Sequence, residues 1–516
     1  MDKGSKIIVS VYGVVAALIG IALPLPLMAR LFQDDAFFYF SIARNFAEGH
    51  GSTFDGLHLT NGYHPLWMFL LSGLDRLVPL RGELGLRAIL LLCAALFALA
   101  LVVAAKVMDR SGLNPRLKHG VLLSLIAFLG FANFGMEAWI WLLSFWWFAG
   151  AMLRLCEDEV DARSIAIAAL ATLACYWSRS DSILFIFTMG AYVTAVRMRK
   201  KGFAGAAQSL GGIWLPVVAG AATQVAVNLK YFGNAKTISS DLKTNAISFG
   251  LRMLHSADER GLQPLIHKAV FFAVFLGSLV LAALLFRKVT THWRNLLIGA
   301  NAYVALFCLA ALLTLREPPR TWYYTVAFAI LIASIAAIAN DSGDRQNSRI
   351  RLATTGFAVL SLASLAGLAI QYKKSPRENS LEMAAWLKAN TEPDEVAFAA
   401  DGSGIINYFS ERPVINGDGL VNDFAYREVL DRGTQADYLR QNRVSIFIAN
   451  VNRASPSEPL PKTVEMYAST YHDHPGYRFA SVDSKKALAD FTKDGFFGYL
   501  PFAVSDLTFD VPFYQR

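Results

Sequence analysis

The 516 residues are 54% hydrophobic and only 17% charged, with a mean hydropathy of +0.38; soluble domains carry roughly 25% charged residues. The apolar residues come in long blocks, which excludes an ordinary soluble globular protein and predicts a polytopic α-helical membrane protein. The net charge of +8 sits in the gaps between apolar blocks, where the positive-inside rule uses Lys and Arg. No basic stripe interleaved with stacking aromatics accompanies it, so a nucleic-acid partner is excluded.

Lys3 and Lys6 precede a first span, Ile7–Ala29, and no small-x-small cleavage site follows it, so an uncleaved span leaving the cytoplasm is expected. Next comes Asp34-Asp35-Ala36-Phe37-Phe38-Tyr39, then Thr60-Asn61-Gly62-Tyr63-His64-Pro65-Leu66-Trp67. Two adjacent carboxylates beside a membrane span are costly to desolvate and call for a partner, a metal or a reaction. A solvated helix cap is the plain alternative. Leu66–Leu80 is apolar but short and is interrupted by Asp75-Arg76, so a juxtamembrane helix is expected there. Leu84–Val107 is a full span ending at Lys106, Arg110, Arg116 and Lys118, which places the Asp pair in the first outer loop, Arg30–Glu83.

The same parity predicts spans over Gly120–Ala132, Ala138–Leu155, Ser164–Trp177, Ser182–Val196, Ala206–Asn228, Ala269–Phe286, Leu296–Thr314, Trp322–Ala339 and Ala353–Ile370. The expected total is about eleven spans, with basic inner connections such as Arg197–Lys201, Arg287-Lys288 and Arg345–Arg351. Residues 1–372 form the membrane module. From about Lys373 the composition turns soluble, and residues 373–516 are expected to form a small extracytoplasmic α/β domain. Within it Ser380–Asn390 reads as a helix, and Glu395–Ala400 and Val444–Ala449 read as strands. Asp401-Gly402-Ser403-Gly404 lacks the lysine of a phosphate-binding loop and reads as a tight turn. Cys93, Cys156, Cys175 and Cys308 have no metal-ligand spacing and read as small packing residues.

Charged and polar groups collect on the outer side: Asp34, Asp35, His58 and His64 in the first loop, Glu137 in the second turn, Arg179 and Asp181 in the third. Lys236 and Lys243 follow in the long loop 229–267, and Arg320 precedes Trp322-Tyr323-Tyr324. Transfer of a sugar from a lipid phosphate uses such a set: a carboxylate to take a hydroxyl proton, cations to hold the phosphate, and aromatic surfaces for the sugar. His58 and His64 lack a metal-ligand spacing. A lipid-linked-sugar transporter would carry its polar residues at mid-membrane, and a non-catalytic sensor would not need the acidic pair.

The motifs Asp34-Asp35-Ala36-Phe37-Phe38-Tyr39, Thr60–Trp67, Gly135-Met136-Glu137, Tyr231-Phe232-Gly233 and Arg320-Thr321-Trp322-Tyr323-Tyr324 resemble those of the GT-C superfamily of membrane glycosyltransferases. This superfamily includes protein O-mannosyltransferases, aminoarabinose transferases and cell-wall arabinofuranosyltransferases. Ile405–Ser410 and Asp418–Asn422 resemble the segment after the last span in bacterial and arabinofuranosyl-type members. The resemblance implies an inverting enzyme of the bacterial inner membrane with a polyprenyl-phosphate sugar as donor, a pentose such as arabinofuranose included. The acceptor would be a hydroxyl on a glycan, lipid or protein. It implies Asp34 as base, with Asp35 the close alternative, and Asn61, Tyr63, His64, Glu137, Trp322 and Tyr323 at the substrate. For the phosphate, the bidentate grip of a guanidinium favours Arg320 ahead of Lys236, Lys243 and Arg179. The second turn has no Asp-x-Asp or Asp-x-Glu, so no ligand motif supports a divalent cation.

Overall fold

The computed structural model describes residues 1–244, 262–286, 291–315, 319–340, 346–373, 377–399, 402–451, 459–467, 478–492 and 498–510. The inner part of the long loop, Arg287, Lys288, Arg316, Glu317, Arg345 and Asp401 lie outside the described residues. The chain is a multi-pass helical membrane protein with a C-terminal α/β region.

Helix α1 (Lys3–Ala22) gives way at Pro24 to a short α2 (Leu25–Ala29), and α3 (Asp34–Ala47) and α4 (Pro65–Asp75) follow, both too short to cross a membrane. The bundle continues with α5 (Gly82–Arg110), α6 (Pro115–Leu129), α7 (Ala138–Leu155), α8 (Ala162–Ser178) and α9 (Ser182–Ser209). A π-helical turn, Leu210–Trp214, leads into α10 (Leu215–Phe232). A short α11 (Ile238–Lys243) precedes α12 (Leu262–Phe286), α13 (His292–Thr314), α14 (Thr325–Asn340) and α15 (Gln346–Lys373). By length and apolarity alone, seven continuous helical stretches qualify as spans among the described residues, one of them Ser182–Phe232.

That stretch is two passes. Gly202 has φ +55 and ψ −132 inside α9, a conformation open to glycine without strain. Beyond it the chain doubles back so closely that a Cβ on Gly205 would lie 2.0 Å from the Arg197 carbonyl oxygen. The expected separate passes Ser182–Val196 and Ala206–Asn228 are therefore both present.

Charged side chains finish the helices where they are needed. Asp2 accepts the Ser5 N–H at 2.9 Å to cap α1 and pairs with buried Lys118. At the other end, Arg87 donates to the carbonyls of Gly20 at 2.8 Å, Ile21 at 2.6 Å and Leu23 at 2.9 Å, which α1 leaves without partners. The core between α5, α7, α8, α9 and α13 is aromatic, with Trp139, Trp141, Trp146 and Tyr303 fully buried.

After α15 come α16 (Glu378–Asn390), β1 (Val396–Ala399), α17 (Ser403–Ser410), β2 (Val414–Asn416), α18 (Phe424–Arg432), α19 (Gln435–Gln441) and β3 (Val444–Val451). Then follow β4 (Thr463–Tyr467), β5 (Arg478–Asp483), β6 (Gly498–Ala503) and β7 (Thr508–Phe509). The main sheet has the order β2-β1-β3-β6, parallel except for β6. Its central β1 is buried at every position, which explains the unbroken apolar run Val396-Ala397-Phe398-Ala399. An antiparallel sheet, β4-β5-β7, stands beside it.

The α/β region is fastened to the first loop. Helix α17 lies on α3, with Tyr408 against Phe37 at 5.4 Å and Phe40 at 5.9 Å between ring centroids, and the Tyr408 hydroxyl donates to the Gly82 carbonyl at 3.1 Å. Elsewhere Arg427 meets Asp241 at 3.3 Å, and the His58 ring bridges Asp55 at 2.7 Å and Asn442 at 2.9 Å. Burial works against the charged form of His58, but the hydrogen bond and charge of Asp55 outweigh it and raise the pKa. His58 is a strut between loop and domain.

Candidate active site

The acidic pair opens α3, where the helix N-terminus favours negative charge. Successive helical residues point about 100° apart, so the two carboxylates meet different surroundings. Asp34 turns to the α/β region: Gly404 N–H donates to its Oδ2 at 3.2 Å and Ile405 N–H to its Oδ1 at 3.0 Å. The first turn of α17 thus presents backbone N–H groups to an anion, and that anion is Asp34. Its neighbour Asp35 lines a cavity between the loops, the domain and the bundle end.

This cavity holds about 590 Å³ of empty volume, its open mouth included. Asp35, Tyr39 and His64 line it from the first loop, Glu137 from the second turn, Lys243 from α11, and Trp322 and Tyr323 from the turn before α14. Leu420 and Val421 of the α/β region close one wall. Gln224 of α10 also lines it, and its Oε1 is buried without a hydrogen-bond partner among the described residues.

Beneath the cavity lies a buried ionic cluster. Glu137, 1% exposed, pairs with the Arg179 guanidinium and accepts the Tyr39 hydroxyl at 3.1 Å. Arg179 donates from Nε to Asp181 Oδ1 at 3.0 Å and from Nη2 to Oδ2 at 3.2 Å. Its flat face lies over Tyr323 at 4.1 Å and Trp141 at 4.8 Å. One arginine therefore ties two outer turns and the aromatic shelf together, and its charge is spent on Glu137 and Asp181.

His64 caps α4, and its Nε2 lies 3.7 Å from Glu137. Burial, followed by the Arg179 charge, depresses its pKa to about 3, against a smaller opposing pull from Asp181. The nearby Glu137 is already paired with Arg179 and does not restore it, so the ring is neutral at physiological pH. A depressed folded-state pKa means stability is present above the ordinary histidine pKa of about 6.5 and is lost as pH falls toward 3. Thermal unfolding of purified protein across that window should show acid destabilisation that His64→Gln reduces.

Asp35, Tyr63, His64, Glu137, Lys243, Trp322 and Tyr323 thus converge on one cavity. Five expected site residues do not line it. Asp34 holds α17. Asn61 accepts the Ile238 N–H at 2.8 Å and donates to the Lys236 carbonyl at 3.0 Å, clamping the first loop to the segment that carries Lys243. Lys236 is 62% exposed and lies 3.7 Å from Asp241. Arg320 is exposed at the start of the Thr321–Tyr324 turn. Arg179 sits below the cavity, engaged by two carboxylates. Sequence reasoning missed Gln224, for which a polar residue in an apolar span was the available signal; Leu420 and Val421 stood within the Asp418–Asn422 segment without being assigned to the site.

Among the described residues no group of three His, Cys, Asp or Glu side chains comes together as metal ligands do. The cavity carries two carboxylates, Asp35 and Glu137, and Glu137 is bound to Arg179.

Fold and site together define a multi-pass membrane protein whose loops and α/β domain enclose a polar, aromatic cavity at one end of the bundle. The same fold is seen in structures of membrane glycosyltransferases. The chain is similar to the structure of ArnT from Cupriavidus metallidurans bound to undecaprenyl phosphate, with 12% identity and a TM-score of 0.53 over 97% of this chain and 98% of that one. It is also similar to the apo oligosaccharyltransferase of Archaeoglobus fulgidus, with 14% identity and a TM-score of 0.50 over 86% of this chain and 69% of that one. At such identities the likeness shows the fold alone. Residues 368–494 match a domain of unknown function (DUF8728), which covers most of the α/β region. No curated protein matches the chain.

Proposed function

We propose that this protein is an inverting glycosyltransferase that moves a sugar from a polyprenyl-phosphate donor to a hydroxyl of an envelope glycan, lipid or protein. The reaction takes place on the extracytoplasmic side, with the N-terminus in the cytoplasm of a bacterial inner membrane and residues 373–516 as an outer domain. The observation that carries the reading is the convergence on one cavity of Asp35, Lys243, and the aromatic pair Trp322 and Tyr323. Asp35 takes the proton of the acceptor hydroxyl, whose oxygen attacks the anomeric carbon. The bond from that carbon to the phosphate oxygen breaks, its electron pair leaves with the polyprenyl phosphate, and Lys243 stabilises the charge that develops there. One base suffices for direct displacement, so the base is Asp35 and the earlier preference for Asp34 is revised by its engagement with Gly404 and Ile405. Lys243, 6.0 Å from the Tyr323 ring centroid, replaces Arg320 as the phosphate cation.

Likeness of Ile405–Ser410 to arabinofuranosyl-type segments favours a pentose as the sugar. Membranes containing the protein, given a panel of radiolabelled polyprenyl-phosphate sugars, test both class and sugar. Label should leave one lipid, pentose-linked, for a lipid-free or glycan-bound product; failure of every lipid-linked sugar would end the proposal. Within that assay Lys243→Met should cut turnover about 10²-fold or more, on the scale of a lost charge stabiliser. Arg320→Lys should match wild type.

A further inference from the structure

A second cavity opens at the opposite end of the bundle, between the ends of α5, α7, α9 and α13, with about 1290 Å³ of empty volume including its mouth. Arg110, Arg199 and Lys200 line it, against one lining carboxylate, Glu157. Lys200 lies 2.6 Å from Asp158 and Arg110 3.7 Å from Glu157. Arg199 has no ion-pair partner among the described residues. Neutral donors stand beside the cations: Asn295 donates to the Tyr192 hydroxyl at 2.7 Å, and both line the cavity.

Trp293, 5% exposed, also forms part of the lining. Leu153 and Val196 give the same cavity apolar walls continuous with the membrane helices. Cations and apolar walls at a helix-bundle rim suit a phosphodiester that carries acyl chains.

We propose that this cavity binds the phosphate headgroup of an anionic phospholipid from the leaflet on that side. The site is independent of the glycosyl-transfer reading. It supplies an annular anchor between α9 and α13, at the face opposite the Asp35 cavity.

Native mass spectrometry of the purified full-length protein, titrated with phosphatidylglycerol, phosphatidylcholine or inorganic phosphate, tests it. Wild type should retain phosphatidylglycerol over phosphatidylcholine. The Arg199→Gln, Lys200→Gln double variant should lose that retention about thirtyfold, taking two surface cations at roughly the strength of lipid-facing Lys and Arg. Arg110→Gln removes a lining cation from a different helix; it should weaken the same adduct and keeps the test readable should the double variant fold poorly. Equal retention of phosphatidylcholine, or unchanged phosphatidylglycerol binding in both variants, would overturn the proposal. Displacement of phosphatidylglycerol by inorganic phosphate at similar concentration would overturn the lipid assignment by showing a soluble-phosphate site.

Discussion

Replacing Asp35 by asparagine is expected to lower turnover about 10²–10⁴-fold, the range a correctly aimed general base contributes, with yield and unfolding temperature unchanged. Asp35 lines the cavity while its neighbour is held elsewhere, so the two substitutions should separate cleanly. Asp34→Asn removes charge from two backbone hydrogen bonds that fasten α17. Its loss should appear first as looser docking of the α/β domain, read by protease cutting after residue 373, with activity falling as a consequence. A companion variant isolates this joint. A Cβ at Gly404 would lie 2.4 Å from the Asp34 carbonyl oxygen, so Gly404→Ala must push α3 and α17 apart. Overpacking of this kind costs about 1–3 kcal/mol, and the thermal midpoint should fall although no cavity residue has changed. Full activity in Asp35→Asn would assign the base to another group.

The second large effect concerns Arg179. Methionine in its place leaves Glu137 and Asp181 facing each other without a counter-charge, and Glu137 is 1% exposed. Breaking a buried pair by removing one partner costs about 3–5 kcal/mol, a large share of the 5–15 kcal/mol that typically separates folded from unfolded domains. Arg179→Met should therefore fail as a folding defect, with low yield and a strongly reduced unfolding temperature, before any kinetic comparison. Arg179→Lys should rescue little, because a single ammonium reproduces neither the two-pronged contact with Asp181 nor the stack on Tyr323. Restoration of near-normal stability by Arg179→Met together with Glu137→Gln and Asp181→Asn would identify the burial of unpaired charge as the cause.

Membrane-length apolar blocks with basic punctuation were legible because each span must satisfy its own backbone and hide its own polar groups. Ala138–Leu155 is found with its expected bounds, and at Leu66–Leu80 the helix has 11 residues, Pro65–Asp75, too few to cross a bilayer. The strands Val396–Ala399 and Val444–Val451 were legible as apolar runs for the same local reason. Long-range partners were not. Asp34 is bound by groups 370 and 371 residues away, and nothing in Gly402-Ser403-Gly404 announces that its anion is a side chain of the same molecule. The preference for Arg320 likewise followed residue type, since guanidinium suits phosphate. Whether a cation at the head of a span faces a cavity or solvent is decided by loop conformation, which carries no periodic signal. The Glu137–Arg179–Asp181 cluster showed only as three charges near span ends, each as fit for snorkelling to water as for burial.

The stereochemistry of one turnover tests the central claim most directly. A donor of known anomeric configuration on polyprenyl phosphate, incubated with purified protein and a hydroxyl acceptor, gives a product whose configuration is readable by nuclear magnetic resonance. Direct displacement assisted by Asp35 predicts the inverted product, with one polyprenyl phosphate released for each sugar transferred. A product of retained configuration would contradict it, because retention requires a second displacement through a nucleophile that this account does not place in the cavity.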